Sequence, residues 1–392
     1  PVFDNNTQAH IVGHMDDISW LTGLTGDLVE LGGRVDLDVT ANYRGGNWVT
    51  SGGVKAEALR IVEVENGIRL LNGSLDLGLN GNDVVINRLH FPSVIRIMPN
   101  EWRTRQWIEE NPPAQNGSLD ISGNWNLQSS RGQVKVLFDH YPILQRTDRF
   151  AMMSGEVNVD AALPRIVVDG KVTADAGWAS VDIKGTAPTL DSDVVIVRKG
   201  EELPQASPSE LDLDLSFTVD LGPRFYVVGF GLDAGLVGAI TIKQANNALS
   251  AEGQFNTRGG AIEAYGQRLQ IRRGRIAFQG DIANPVLDIE ALRTNLEVEA
   301  GMRVVGNARN PKISLISYPE VSEVEKLSWL IMGRGPDSSG GDLAMLLTVG
   351  TSLLGGDATQ EPIHKQLGID DISIRKGDVG ESGSVLPRRT VG

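Results

Sequence analysis

Apolar and polar residues alternate over most of the first 320 positions of the sequence. The clearest stretch is SELDLDLSFTVDLG at 209–222, where every second residue from Leu211 to Leu221 is apolar and the residues between them are Asp, Ser or Thr. Successive side chains of a β-strand point to opposite faces of a sheet. The pattern therefore predicts a strand with one apolar face and one acidic face.

The same period of two recurs along the chain, usually after a glycine that permits a tight turn. Examples are GRVDLDVTANY at 33–43, GSLDLGL at 73–79, GSLDISGNWNL at 117–127 and GEVNVDAAL at 155–163. The repeated GSLD is interpreted as a turn followed by one inward leucine, with Ser and Asp facing water. It is not interpreted as a duplicated chemical site.

Helical patterns are few before residue 320. HMDDISWLTGL at 14–24 predicts one short helix, and a second begins after Pro319, where Ser322 and Glu325 fit an S-x-x-E capping box and Gly333 marks the end. DLAMLLTVGTSLL at 342–354 is too short to span a bilayer, a third short helix is predicted near 361–367, and a strand follows at 369–375. The residues expected to form a helical cap are Val321, Val324, Leu327, Leu330, Leu346 and Leu347.

So much apolar sheet surface with so few helices poses a packing problem. A sheet with this much apolar surface exposed to water would aggregate. The sheet must therefore close on itself as a sandwich, barrel or trough, or hold an apolar ligand. The alternation alone does not separate the core of a β-sandwich from the lining of a trough, since both bury alternate residues.

Composition limits the partners and the chemistry. The chain has no cysteine and a formal net charge of −14, which disfavours nucleic acid and anionic lipid head groups. It has no run of about 20 apolar residues that would span a bilayer. Because it begins at Pro1, we expect it to be a piece of a longer protein.

No pattern of catalytic or metal-binding residues stands out. His10 and His14 have helical zinc spacing but lack the Glu of H-E-x-x-H and a third ligand. The glycine-rich stretches at 229–235 and 333–341 lack the G-K-[ST] of a phosphate loop. The Asp-x-Asp pairs, such as Asp212 and Asp214, lie on the predicted wet face. We therefore expect no enzyme activity, no cofactor and no metal.

The C-terminal half carries a family resemblance. YGQRLQIRRGRIAFQGDIANPVLDIEALR (265–293), NPKISLISYPEVSEVEKLSWLIMGR (310–334) and LGIDDISI (367–374) follow DSDVVIVRKG (191–200) and YVVGFGLDAGLVGAITI (226–242). In this order they resemble the C-terminal domain of the TamB family, within the AsmA-like group of periplasmic bridge proteins. Residues 1–190 resemble it in their alternating pattern more than in residue identity.

The resemblance implies a mostly β fold, in which a long curled sheet forms an open trough (a β-taco) with an apolar interior. It implies a periplasmic location, an inner-membrane anchor N-terminal to this chain, and an outer-membrane partner similar to the TamA barrel. The implied role is outer-membrane assembly through phospholipid movement between the membranes, with no catalytic residue. The family usually continues past the segment matching 367–374, which leaves open whether the partner-binding end lies beyond residue 392.

These expectations divide the chain into four parts. Residues 1–190 are expected to form the N-terminal portion of the trough and 191–318 its family-specific portion, followed by a helical cap at 319–368 and a final strand and tail at 369–392. The stretch 99–117 is interpreted as either a surface excursion or a small contact patch. The polar stretch 198–210, with Pro204 and Pro208, is predicted to be a mobile loop, and neither stretch is given a role.

The predicted groove would contact phospholipid acyl chains. Its expected lining residues are Leu211, Leu213, Leu215, Phe217, Val219, Leu221, Ile240, Ile242, Ile276, Phe278, Leu287, Ile289, Ile313 and Leu315. An alternative is a chaperone or scaffold that binds unfolded strands of outer-membrane proteins or autotransporters by adding them to a sheet edge.

Overall fold

The computed structural model describes residues 7–24, 29–44, 47–63, 67–180, 212–229, 231–245, 248–264 and 266–336. Within these ranges the strands form one sheet of 17 members, which confirms the predicted mostly β fold. The first nine strands are β1 Gln8–Met15, β2 Val29–Arg44, β3 Asn47–Glu63, β4 Ile68–Gly81, β5 Asp83–Pro92, β6 Ser118–Asn126, β7 Arg131–Gln145, β8 Arg149–Ala162 and β9 Arg165–Ser180. The others are β10 Asp212–Asp220, β11 Phe225–Gly229, β12 Leu232–Ala245, β13 Ala248–Ala264, β14 Gln267–Gly280, β15 Val286–Leu292, β16 Glu299–Asn307 and β17 Asn310–Tyr318.

The strands follow one another as an antiparallel meander that is interrupted once, where two strands run parallel to their neighbour. Each strand from β1 to β9 pairs antiparallel with the next, and so does each strand from β12 to β17. β10 and β11 lie end to end between β9 and β12, and both run parallel to β9. Parallel neighbours need a crossover connection instead of a hairpin, and this one comprises residues 181–211, outside the described ranges.

A line of bulges crosses the sheet. The register shifts between β2 and β3 and in seven later pairs, including Phe138 to Tyr141 in β7 and Ile271 to Arg273 in β14. Gly33 lies in this line, where its φ of +125° and the 2.9 Å between an added Cβ and Leu59 Cα require glycine. Bulges bend a strand and increase its twist, so a row of them curls the whole sheet.

The stretch 99–117, interpreted from sequence as a surface excursion or contact patch, contains two helices. They are α1, Trp102–Glu110, and α2, Pro112–Gln115. The Glu101 carboxylate caps α1 by accepting hydrogen bonds from the backbone amides of Arg103 and Thr104. The sequence signal is weak because glutamate is not among the preferred N-cap residues.

Helix α1 connects the strands on both sides of the parallel junction. Ile108 is fully buried against Phe150 and Trp178 of β8 and β9. The Arg103 guanidinium donates to Asp233 in β12 and lies 4.0 Å from the ring centroid of Tyr226 in β11. The helix therefore holds together the parallel junction, where residues 181–211 and not a hairpin connect β9 to β10.

Two other predicted helices differ in extent. The helix expected at 14–24 is a 3-10 helix at Ser19–Leu24, because His14 and Met15 pair with β2 as part of β1. The capping box is confirmed: Ser322 caps α3, Glu323–Met332, reciprocally with Glu325, and Gly333 ends it at φ 71°. The helices predicted at 342–354 and 361–367 and the strand at 369–375 lie outside the described residues.

Removing the buried side chain of α1 should loosen the parallel junction. We expect Ile108→Ala to lower the free energy of unfolding by about 2–5 kcal/mol, since it leaves a cavity in a packed core. Amide hydrogen exchange in β8 and β9 should rise with it. Trp102→Ala, on the same helix but 65% exposed, is the matched control and should change both quantities far less. Equal effects of the two substitutions would contradict the connecting role of α1.

Candidate functional site: an apolar face of the sheet

Cross-strand register places the predicted groove residues on one face of the sheet. Leu215 lies opposite Val168 of β9, and Phe217 lies opposite Ile242 of β12. Farther along, Phe255 faces Ile276, which in turn faces Leu287. Residues directly opposite each other in a sheet share a face. The described members are Leu213, Leu215, Phe217, Val219, Leu221, Ile240, Ile242, Ile276, Phe278, Leu287, Ile289, Ile313 and Leu315, whereas Leu211 lies outside the described residues.

This surface, called the apolar face below, continues into the N-terminal half of the sheet. A line of directly opposed residues crosses nine strand positions without a charged side chain. Its members are Leu37, Val54, Leu77, Ile86, Gly123, Val134, Val159, Val168 and Leu215. The leucine of the first GSLD stretch, Leu75, lies on the same face of β4 as Leu77. The repeat therefore contributes apolar positions to the face, as its spacing predicts.

The opposite face is charged and solvated. Ion pairs join neighbouring strands there, with Arg165 Nη2 at 3.0 Å from Asp214 and Lys243 Nζ at 2.6 Å from Glu252. Exposed pairs of this kind contribute little stability. Their effect is to distinguish the two faces of the sheet, because the charged face favours contact with water and the apolar face does not.

Large side chains of the apolar face differ in burial along each strand. Half-buried side chains on this face include Leu213, Leu215, Phe217 and Ile276, and Ile313 is 44% exposed. All of them belong to the same sheet. On the N-terminal side, by contrast, Phe91, Leu119 and Tyr141 form a closed core beneath the direct pairing of β4 with β7. The face is therefore covered at one end of its strands and partly open to water at the other.

Helix α3 covers part of the apolar face in the C-terminal half. Leu327 and Leu330 are buried against Ile271, Ala291 and Leu315, with Val324 packed beside them. Val321 is half-buried at the start of the helix, and Leu346 and Leu347 lie outside the described residues. The sequence placed these residues in one stripe, but only the structure shows which strands they contact.

Two polar contacts hold α3 in place. The Arg293 guanidinium of the segment after β15 donates to the carbonyls of Leu330 and Ile331 at 3.0 and 3.1 Å, which satisfies the C-terminal end of the helix. Burial disfavours the charged form of Lys326, but hydrogen bonds to Glu320 and Glu323 outweigh it and raise the pKa of Lys326. Since the raised pKa of a lysine keeps it charged at neutral pH, these contacts persist there.

A further feature of the apolar face was not foreseen from sequence. Several of its aromatic side chains lie opposite glycines of the neighbouring strand, including Phe217 opposite Gly170 and Phe278 opposite Gly253. At Gly132 an added Cβ would approach the Trp125 ring to 2.7 Å, so the absence of a side chain makes room for the ring. The high glycine content signals this arrangement only once the register is known.

No predicted site residue lines the two cavities found on the described part of the sheet. These cavities, of about 430 and 400 Å³, lie on the charged face of β6–β9 and share Asn124, Gln133 and Asp160. In the described ranges no group of three His, Cys, Asp or Glu is arranged to hold a metal ion. His10 and His14 hydrogen-bond to Asp38 and Asp36 of the neighbouring strand β2.

These features define an elongated β-sheet protein whose single sheet has one uncharged apolar face. Residues 108–392 match the profile of the TamB C-terminal domain, and the chain belongs to the TamB family. The translocation and assembly module subunit TamB of Haemophilus influenzae (strain ATCC 51907 / DSM 11121 / KW20 / Rd) is 27% identical over 314 residues, which cover 69% of this chain and 24% of that protein. Among the described helices, none has the length and hydrophobicity needed to cross a membrane.

The difference between the closed core and the open part of the apolar face can be measured. Phe91→Ala should lower the free energy of unfolding by about 3–5 kcal/mol, the usual cost for a fully buried phenylalanine. Phe217→Ala should cost less than half as much, because its half-buried ring already contacts water. Denaturant unfolding of both variants provides the comparison. A cost at Phe217 equal to that at Phe91 would mean that a second layer covers the face.

Proposed function

We propose that this chain is a segment of a periplasmic bridge whose apolar face shields phospholipid acyl chains on their way between the inner and outer membranes. The observation that supports this most directly is the uncharged line from Leu37 to Leu215, continued by residues such as Ile242 and Ile276, with large side chains left partly exposed. An extended apolar surface that stays partly exposed to water is typical of a binding site.

The energy scale explains why continuity matters. Each acyl CH₂ moved into water costs about 0.8 kcal/mol, so a lipid with about 30 such groups faces roughly 24 kcal/mol. A gap of even a few strands in the apolar line would restore part of that cost. A continuous apolar surface removes most of it without catalysis, and we propose that the chain is not an enzyme.

The relative's name gives the setting for this proposal. Because that protein is a subunit of the translocation and assembly module, we place this chain in a corresponding assembly that supports outer-membrane biogenesis. An outer-membrane barrel similar to TamA would be its partner, and an N-terminal segment would anchor the full-length protein in the inner membrane. In this proposal α3, with Leu327 and Leu330 on the apolar face, is a cap at one end of the lipid path.

A second candidate function rests on the edge strand β1. Within the described residues it pairs only with β2, and Ile11 and Val12 are 58% and 68% exposed. An open edge with apolar side chains can accept another strand by main-chain hydrogen bonds. A chaperone or scaffold for outer-membrane proteins would use this edge in place of the apolar face.

Photocrosslinking tests the lipid path directly. A crosslinking residue at Leu215 or Ile276 should capture phospholipid in cells, because both side chains lie on the apolar face. The same residue at Asp214, which faces the other way and pairs with Arg165, is the control and should capture none. Lipid captured equally at Leu215 and Asp214 would rule out the proposed path.

Placing a charge on the apolar face separates function from folding. We expect Leu215→Arg to block lipid passage while leaving the sheet folded, because the partly exposed position lets a long side chain carry its charge to water. Circular dichroism would report the fold, and crosslinking at Ile276 would report passage. Global unfolding would instead indicate a closed core at this position.

Native mass spectrometry distinguishes the two candidate functions. For the lipid path, the purified chain should carry phospholipid, and Leu215→Arg should reduce the amount bound. For the chaperone, it should carry peptide, and charged substitutions at Ile11 and Val12 should release it. Peptide without lipid would favour the edge strand over the apolar face.

A further inference from the structure

Four arginines crowd the charged face of β14–β16. They are Arg272, Arg273 and Arg275 of β14 and Arg303 of β16, called the arginine cluster below. The bulge between Ile271 and Arg273 inserts an extra residue, and both Arg272 and Arg273 reach the same carboxylate, Glu290, at 3.8 and 3.7 Å. Two consecutive residues of a regular strand would point to opposite faces. The bulge therefore concentrates positive charge at one point of the sheet.

Two carboxylates and a tyrosine ring hold three of the guanidinium groups in place. Glu290 is 1% exposed and accepts a hydrogen bond from the Tyr318 hydroxyl at 3.4 Å, and Arg272 lies 4.6 Å from the Tyr318 ring centroid. Asp288 accepts from Arg273 at 3.3 Å and from Arg303 at 3.1 Å. Glu290 lies deep and Asp288 is 31% exposed, whereas the side chains of Arg272, Arg273 and Arg303 are 41–56% exposed. These three arginines are therefore held by carboxylates while much of each side chain stays in contact with water.

The cluster holds more positive charge than its carboxylates neutralise. Three of the arginines share Asp288 and Glu290, and the fourth, Arg275, has no side-chain partner within the part of the chain that the structure describes. The surrounding residues 248–318 contain nine Arg or Lys and seven Asp or Glu, although the whole chain has a net charge of −14. Covering the buried Glu290 accounts for Arg272 and Arg273, but it does not account for Arg275 or the surplus.

Guanidinium groups bind phosphate oxygens through paired hydrogen bonds, and groups fixed in advance lose less entropy on binding. The cluster spans three strands, so the backbones of Arg273 and Arg303 are about 10 Å apart across the sheet. Their guanidinium groups converge on Asp288, whereas Arg275 has no carboxylate partner among the described residues. The cluster therefore offers donors to more than one phosphate group. At physiological salt, acidic side chains more than about 8 Å away are largely screened.

We propose that the arginine cluster docks the charged face of the sheet onto the phosphate groups of an anionic lipid surface. The negative net charge of the whole chain disfavours such docking over most of its surface. The local positive charge of the arginine cluster would permit it at this one place. This surface lies on the opposite side of the sheet from the apolar face, so it is independent of the proposed lipid path. It would fix which face of the sheet is turned toward a membrane.

Vesicle co-sedimentation tests the docking surface. The purified chain should bind vesicles of phosphatidylcholine with phosphatidylglycerol and should not bind phosphatidylcholine alone. Arg275→Gln combined with Arg303→Gln should weaken binding by roughly fivefold per arginine removed. These two positions leave the contacts of Glu290 with Arg272 and Arg273 intact, and crosslinking at Leu215 should be unchanged.

The matched control removes the same charge elsewhere. Arg34 and Arg60 are 52% and 50% exposed, and each pairs with a carboxylate at 3.7 or 3.5 Å. Arg34→Gln combined with Arg60→Gln should leave vesicle binding unchanged. Equal weakening by both double variants, or no dependence on phosphatidylglycerol, would overturn the proposal. Displacement of the vesicles by inorganic phosphate at the same phosphate concentration would also overturn it, because a single-phosphate site would then suffice.

Discussion

Cross-strand register is the constraint on which the rest of this structure depends. A slip of one residue would turn every side chain of a strand to the other face, so Leu215 would exchange places with Asp214. The cost of placing aspartates on the apolar face, and leucines among the ion pairs, is what keeps the register fixed. Once it is fixed between each pair of neighbouring strands, including the parallel pair β9 and β10, the apolar line from Leu37 to Leu215 follows.

The bulges modify this register without breaking it. Each one lets a strand bend while the residues on both sides keep their faces, and their alignment across neighbouring strands curls the sheet as a unit. In β14 the same device places Arg272 and Arg273 on one face, over Glu290. A single kind of backbone irregularity thus contributes to both the shape of the sheet and its charge distribution.

The helices act where the meander leaves a gap. Helix α1 joins β9 to β11 and β12 at the parallel junction, through Arg103 and the buried Ile108. Helix α3 covers apolar surface that strands of the C-terminal half leave open. Both helices are short, and their stability comes from the packing of one face against the sheet, since isolated helices of this length are marginal.

The sequence by itself determined which residues share a face, because alternation with period two is a local property of each strand, and it located α3 through Ser322, Glu325 and Gly333. It did not reveal α1, whose cap is a glutamate and whose contacts with Tyr226 and Asp233 are more than 100 residues away. Nor did it show that Phe91 is enclosed while Phe217 is partly exposed, since both occupy the same face. That distinction, like the pairing of aromatic side chains with glycines and the gathering of four arginines, arises from how distant strands are placed side by side.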